Sequence, residues 1–309
     1  MAHIMDARAR IIVTALWAGC ALSLMARAVD LPRSALASAL DRGFFGLYNL
    51  DFAGAQRDFS SWQKLHPDDP VGPVSEAVGF LFAEFNRLGV LESQFYANDA
   101  AFVGRPKLTP DPALREHFMT AIGQAENLSH ARLAKDPQDR DALFALTLSS
   151  ALQADYAALI EKRNLASLHF TKEASASARR LLAVCHDCYD ALLATGFSKY
   201  IMGSMAAPLR WILRMGGLDL ETTAEHGHYL APFARILLSI AYVREKDSSR
   251  ALQLLTGLRR EFPANTLFSR EIAHLQSAPS AAVEFPSSRK SCLAAPGRPR
   301  AFHQKFIRL

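Results

Sequence analysis

The chain has 309 residues, half of them apolar and 21% charged, which excludes disorder as the state of the bulk of the protein. Its net charge of +5 is uneven: residues 277–309 carry six Lys or Arg against Glu284 alone, residues 1–28 add +2, and residues 29–276 are left at −2. A near-neutral body lacks the basic face that a nucleic-acid binder needs, so nucleic acid is excluded as the general partner.

The N-terminus has the form of an export signal. Arg8 and Arg10 precede an apolar run from Ile11 to Met25, and Ala26-Arg27-Ala28 is a small-x-small cleavage site. The run is shorter than the ~20 residues that a spanning helix needs. Cleavage after Ala28 is therefore expected, with a mature, periplasmic or envelope-associated protein starting at Val29. Trp17-Ala18-Gly19-Cys20 offers a second route, lipidation at Cys20, because it resembles a bacterial lipoprotein box.

Beyond the signal, strand signals are scarce, and Ala and Leu dominate, which favours helix throughout. Leu36, Leu40, Phe44 and Leu47 lie at helical spacing over 33–48, and Asp51 opens a second helix that ends before His66-Pro67. Further helices are expected near 74–88, from Pro112 to Lys135, from Asp141 to Lys162 and from Leu165 to Val184. Gly104, Pro106, Pro110 and Pro112 punctuate a loop over 97–111. Another unit starts over 191–200. A short helix follows near 220–229, and Pro232 to Arg244 with Ser248 to Glu261 form the last clean hairpin; periodicity fades beyond about Ala273. The domains expected are thus a signal at 1–28, a helical domain at 29–276 and a basic tail at 277–309.

One spacing recurs four times: an Ala, then residues four, seven and twelve positions later. It reads Ala55-Phe59-Trp62-Pro67, Ala125-Ser129-Arg132-Pro137, Ala174-Ala178-Leu181-His186 and Ala251-Leu255-Leu258-Pro263. Four and seven are helical face spacings, so each copy lays a small residue and two partners along one stripe. A proline at plus twelve then turns the chain out of the helix. Leu238-Ser239-x-x-Tyr242, followed by Ala251, Leu255, Leu258 and Pro263, resembles the tetratricopeptide repeat signature, as do Gly43, Ala55, Phe59 and Pro67, and Gly196 after the third copy. Successive alanines lie 70, 49 and 77 residues apart rather than one repeat length, so the repeats are irregular and elaborated. The resemblance implies an all-α helical-hairpin solenoid, and with it a non-enzymatic scaffold that binds a protein or peptide on the concave face lined by first helices. Asn49, Arg57, Lys199 and Arg235 are the candidate partner-binding residues.

Chemistry is sparse. Cys185-His186-Asp187-Cys188 is a C-x-x-C pair without the following His of a haem attachment site and without a second pair to complete a zinc tetrahedron. It falls near a helix C-terminus, whereas redox-active pairs favour a helix N-terminus. A turn between stacked helices, closed by a Cys185–Cys188 disulfide, is the preferred reading, with an envelope thiol-disulfide protein as the alternative. Glu221, Glu225, His226 and His228 read as a solvated helix face, and no metal or cofactor is expected. Trp211-Ile212-Leu213 between Arg210 and Arg214 suits a short helix packed over a break in the stack. Residues 200–217 and the basic tail are the candidates for peripheral membrane contact, and a lipid or small-hydrophobe module is the remaining alternative function.

Overall fold

The computed structural model describes residues 38–92, 106–195 and 219–277. The signal region, Cys20, Gly196, Lys199, residues 200–217 and the tail beyond Ser277 lie outside them. Among the described residues every regular element is a helix. They are α1 (Ala39–Tyr48), α2 (Phe52–Leu65), α3 (Val71–Arg87), α4 (Pro112–Leu133), α5 (Arg140–Asp155, widened into a π-turn over Tyr156–Ile160) and α6 (Asn164–Val184). After helical residues 190–195 (α7) and 219–226 (α8) come α9 (Ala231–Arg244), α10 (Ser248–Glu261) and α11 (Thr266–Ser277).

Short polar side chains set the helix starts. Ser38 and Asp41 form a reciprocal capping box, with Asp41 N–H donating to Ser38 Oγ at 3.0 Å and Ser38 N–H to Asp41 Oδ2 at 3.0 Å. Asp51, Asp111, Asp139 and Asp247 cap α2, α4, α5 and α10 through side-chain oxygens. Pro112 occupies the first position of α4, where its missing N–H costs nothing.

The helices form hairpins with a shared build. Two residues after α1, α3, the π-turn and α9, the backbone turns left-handed at Leu50, Gly89, Lys162 and Lys246 (φ 63°, 71°, 56° and 64°). Three of these are not glycine and carry the cost of that conformation, about 1 kcal/mol each, in order to reverse the chain. The first and last hairpins match bond for bond. Asp51 N–H donates to Gly46 O and Asp247 N–H to Tyr242 O, both at 2.9 Å. At the far ends, His66 N–H donates to Trp62 O and Phe262 N–H to Leu258 O.

Each helix packs on the next from α1 to α6. Of the next-but-one pairs, α1 meets α3 and α3 meets α5; we call these first helices the inner layer and the second helices α2, α4 and α6 the outer one. The π-turned α5, Arg140–Ile160, is long and apolar enough to cross a membrane, yet 67% of that window is buried in the fold. Its neighbours α3, α4 and α6 account for that apolarity. A single core runs from Leu40 on α1 to Ile272 on α11, and a smaller one joins Leu143, Ala174, Ala178, Leu181, Cys185 and Ala191. Three details differ from the sequence expectation. α3 begins at Val71, with Pro73 tolerated in its first turn, where no N–H partner is lost. The helix expected through Lys162 loosens into the π-turn. The chain also adds α11, which packs on α10.

Candidate functional site

All four motif alanines lie in the second helix of a pair, and none is more than 2% exposed. Phe59, Ala178, Leu255, Leu181 and Leu258 are buried beside them, while Pro67, Pro137, His186 and Pro263 stand exposed in the turns. Ser129 is also buried, without a hydrogen-bond partner for its hydroxyl. The motif extends two residues further than its sequence reading. Position plus fourteen is Asp69, Asp139, Cys188 and Asn265. In every copy its N–H closes the turn onto the carbonyl three residues earlier, at 3.0–3.3 Å. Asp69, Asp139 and Asn265 then accept N–H groups of the next helix from Val71, Ala142 and Leu267 at 2.9–3.0 Å. In the first two copies position plus seven holds the same residue from behind. Trp62 Nε1 donates to Asp69 Oδ2 at 2.7 Å, and Arg132 Nε donates to Asp139 Oδ2 at 2.7 Å. In the third copy a Cys185–Cys188 disulfide with a Cα–Cα distance of 5.4 Å stands where the other copies use a side-chain cap.

The inner layer does not face open solvent throughout, because the chain's own residues 227–233 lie against it. The Tyr229 ring stacks on Phe44 of α1 (centroids 4.6 Å) and reaches Phe144 of α5 (6.3 Å), while Phe233 meets Phe82 of α3 edge-on (5.4 Å). Asp190, at the start of α7, accepts the N–H groups of Tyr229 (2.9 Å) and Leu230 (3.1 Å) on its two carboxylate oxygens. Tyr48 Oη donates to Tyr229 O at 2.9 Å, and His228 Nε2 meets Asp41 Oδ1 at 2.8 Å. Gly227 is required for this approach: a Cβ there would lie 2.5 Å from Asp190 Oδ1 and 2.6 Å from Thr223 O. Burial pushes the Asp190 carboxyl above its usual range, and the two N–H donors pull the other way. Burial likewise raises Tyr48, with Asp190 adding to it, and Tyr229, with Asp41 and Asp190 adding to it.

The last hairpin completes the closure. Asn265 Nδ2 donates to Tyr48 O at 2.8 Å, Ala264 N–H donates to Asn49 Oδ1 at 3.1 Å, and Phe262 packs against Phe45 and Tyr48. Between the end of α1, α3 and α9–α11 this leaves an apolar cleft of about 70 Å³ whose lining includes Leu47, Phe82, Ile236, Ile240, Phe268 and Leu275. Arg270 and Glu92 pair between α11 and the turn after α3 at 3.3 Å.

The four candidate partner-binding residues do not converge. Asn49 Nδ2 donates to Phe45 O at 3.1 Å, and its oxygen holds Ala264, so it serves the closure. Arg57 is exposed on the outer helix α2. Arg235 on α9 is bound to Glu261 at 2.7 Å, and its Nε is buried without a partner. Lys199 lies outside the described residues. Leu238 is buried in α9, and half-buried Tyr242 carries the Arg250 guanidinium over its ring at 5.3 Å. In the Glu221–His228 stretch, Glu225 is exposed and pairs with His226 at 3.6 Å, as a solvated face would, whereas His228 reaches across to α1.

Two other titratable groups stand apart. Glu84 is buried on α3, grips Arg87 through both oxygens (2.7 and 2.8 Å) and accepts Asp111 N–H at 2.8 Å, which ties the 106–111 stretch to the core. Burial alone pushes the Asp155 carboxyl up to about 7. In comparisons with known proteins, the chain matches no family model, no curated protein and no solved structure.

Proposed function

We propose that the chain is a tetratricopeptide-type helical-hairpin repeat protein acting as a non-enzymatic scaffold in the cell envelope, where it binds a segment of a protein partner. The single observation that carries this reading is how the inner layer treats residues 227–230. This stretch, outside the flanking helices, is held by the means a peptide-binding face uses: the Asp190 carboxylate of α7 receives main-chain N–H groups, and the Tyr229 ring is set between Phe44 and Phe144 of the inner layer. The recurring second-helix motif supports the repeat assignment, since the first and last hairpins superimpose in their capping and turn bonds.

Because residues 227–233 already cover part of the inner layer, the partner's entry point in this reading is the adjoining apolar cleft. Phe82 on α3 is partly exposed there, opposite Ile240 and Leu275, over the buried Leu47. A partner segment would place an apolar side chain in the cleft and hydrogen-bond along its rim. The cleft's apolar lining favours one second reading, a small hydrophobic ligand in the same place.

The test is site-specific photo-cross-linking in envelope extract of the native host. A photoreactive residue is placed at Leu275, in the cleft, or at Arg57, on the outer layer. The scaffold reading expects one saturable protein adduct from position 275, competed by excess unlabelled protein and not formed from position 57. No protein adduct from 275, or the same adducts from both positions, would refute it. A co-purifying lipid or small hydrophobe in place of protein would establish the second reading.

A further inference from the structure

We propose that, once its disulfide is reduced, the Cys185–Cys188 turn is a binding site for a soft divalent cation such as Zn²⁺, with Asp187 as the third ligand. This goes beyond the scaffold reading and does not depend on it.

One contact in the oxidised chain sets the geometry. Asp187 Oδ1 lies 3.3 Å from Cys185 Sγ. A disulfide sulfur has no proton to donate, so the carboxylate oxygen meets it in van der Waals contact and not in a hydrogen bond. A sulfur and an oxygen bound to one tetrahedral zinc ion, at about 2.3 and 2.0 Å, sit about 3.5 Å apart. The oxidised turn therefore already places one oxygen and one sulfur at nearly the separation that a shared metal imposes.

Three further features point the same way. The two sulfurs and the carboxylate oxygen all lie within 4.8 Å of one another. The backbone holds the two Cα atoms 5.4 Å apart through a closed turn, Cys188 N–H donating to Cys185 O at 3.3 Å, so the main chain need not move when the sulfurs part. Two zinc-bound thiolates stand about 3.8 Å apart, a separation that side-chain rotation supplies: Cys185 is buried at 3% exposure, but Cys188 is half-buried and Asp187 exposed. The turn also follows directly on the C-terminus of α6 at Val184, whose partial negative charge favours a cation.

A dithiol reductant delivers two electrons and two protons to the Cys185–Cys188 bond and is itself oxidised to a disulfide. The two thiols then lose two protons as the cation binds two thiolates and one carboxylate, and solvent completes the tetrahedron. Disulfide and metal are mutually exclusive states of one turn, and either one closes it at the repeat position where Asp69, Asp139 and Asn265 close theirs by hydrogen bonding.

The experiment uses the full chain with Cys20→Ser and Cys292→Ser, reduced by a dithiol that is then removed under anaerobic conditions, and Co²⁺ as the probe. The expected result is one Co²⁺ per chain, with tetrahedral d–d bands and thiolate-to-cobalt charge transfer displaced by Zn²⁺. The oxidised chain should bind none, and Asp187→Asn should bind at least tenfold more weakly. Circular dichroism confirms that each form remains helical, and the oxidised parent serves as the folded control. Absence of charge transfer in the reduced chain, equal binding by the oxidised chain, or unchanged affinity in Asp187→Asn would each overturn the site.

Discussion

Glycine at position 43 carries a sharp prediction about how the first hairpin is built. Gly43 is buried on α1 directly over the ring of Phe59, the plus-four residue of the first motif. A Cβ at 43 would run into Phe59 Cε1 and lie 2.5 Å from Cδ1 and 2.9 Å from Cζ. The ring has nowhere to retreat, because Phe59 is fully buried and packs edge-on against Phe44 at 5.3 Å. Overpacking of this kind costs about 1–3 kcal/mol, and the better helix propensity of Ala returns about 1 kcal/mol. Gly43→Ala should therefore destabilise the protein by up to ~2 kcal/mol. Gly123 on α4 and Gly257 on α10 are the controls. A Cβ at either meets nothing within 4 Å, so Gly123→Ala and Gly257→Ala should each stabilise by about 0.5–1 kcal/mol. Urea unfolding followed by far-ultraviolet circular dichroism reads all three, with the midpoint falling for position 43 and rising for 123 and 257. A midpoint that rises for Gly43→Ala alongside the controls would refute the close approach of α1 to α2.

Two further substitutions probe the closure and the buried acid. Tyr48→Phe removes the hydroxyl that reaches Tyr229 O and should cost about 1–2 kcal/mol in the same urea assay, with little change in far-ultraviolet signal. Asp155 has a folded pKa raised to about 7 from 3.8, so the native state holds the extra proton. Its contribution is fully present below the unfolded value and is lost as pH rises through about 7. Asp155→Asn should flatten the dependence of thermal stability on pH between roughly 4 and 8. Above neutrality it should exceed wild type by about 1–2 kcal/mol, after allowing for the part of the side chain still in water. Identical pH profiles for the two proteins would contradict that assignment.

Much of the hairpin architecture was legible in the sequence because its causes are local. Alanine at a helix–helix contact, bulky partners four and seven residues on and a proline at twelve are all set by the helical period, and each copy falls on a second helix. The caps at Asp69, Asp139 and Asn265 were equally open to reading, since they are short polar residues two positions beyond Pro67, Pro137 and Pro263. The closure was not legible. Tyr48 meets Tyr229, 181 positions away, and Asp190 meets Tyr229 and Leu230 across the undescribed 196–218 stretch, with no period or composition to announce either contact. Asn49 shows the consequence. As an exposed-looking polar residue after a first helix it reads as partner-facing, yet its oxygen is engaged by Ala264. The left-handed turns at Leu50, Lys162 and Lys246 were hidden for a related reason: the residues are not glycine, and the hairpins impose the conformation on them.

The claim on which the rest depends is that the chain's own residues 227–233 lie against the inner layer, clamped by Asp190. Amide hydrogen exchange of the full chain tests it directly. The amides of Tyr229 and Leu230 should be protected in the wild type, although Tyr229 lies outside any helix. In Asp190→Ala they should exchange fast, while the amides of α2 around Ala55 keep their protection. Rapid exchange at 229 and 230 in the wild type, or protection that survives Asp190→Ala, would contradict the account.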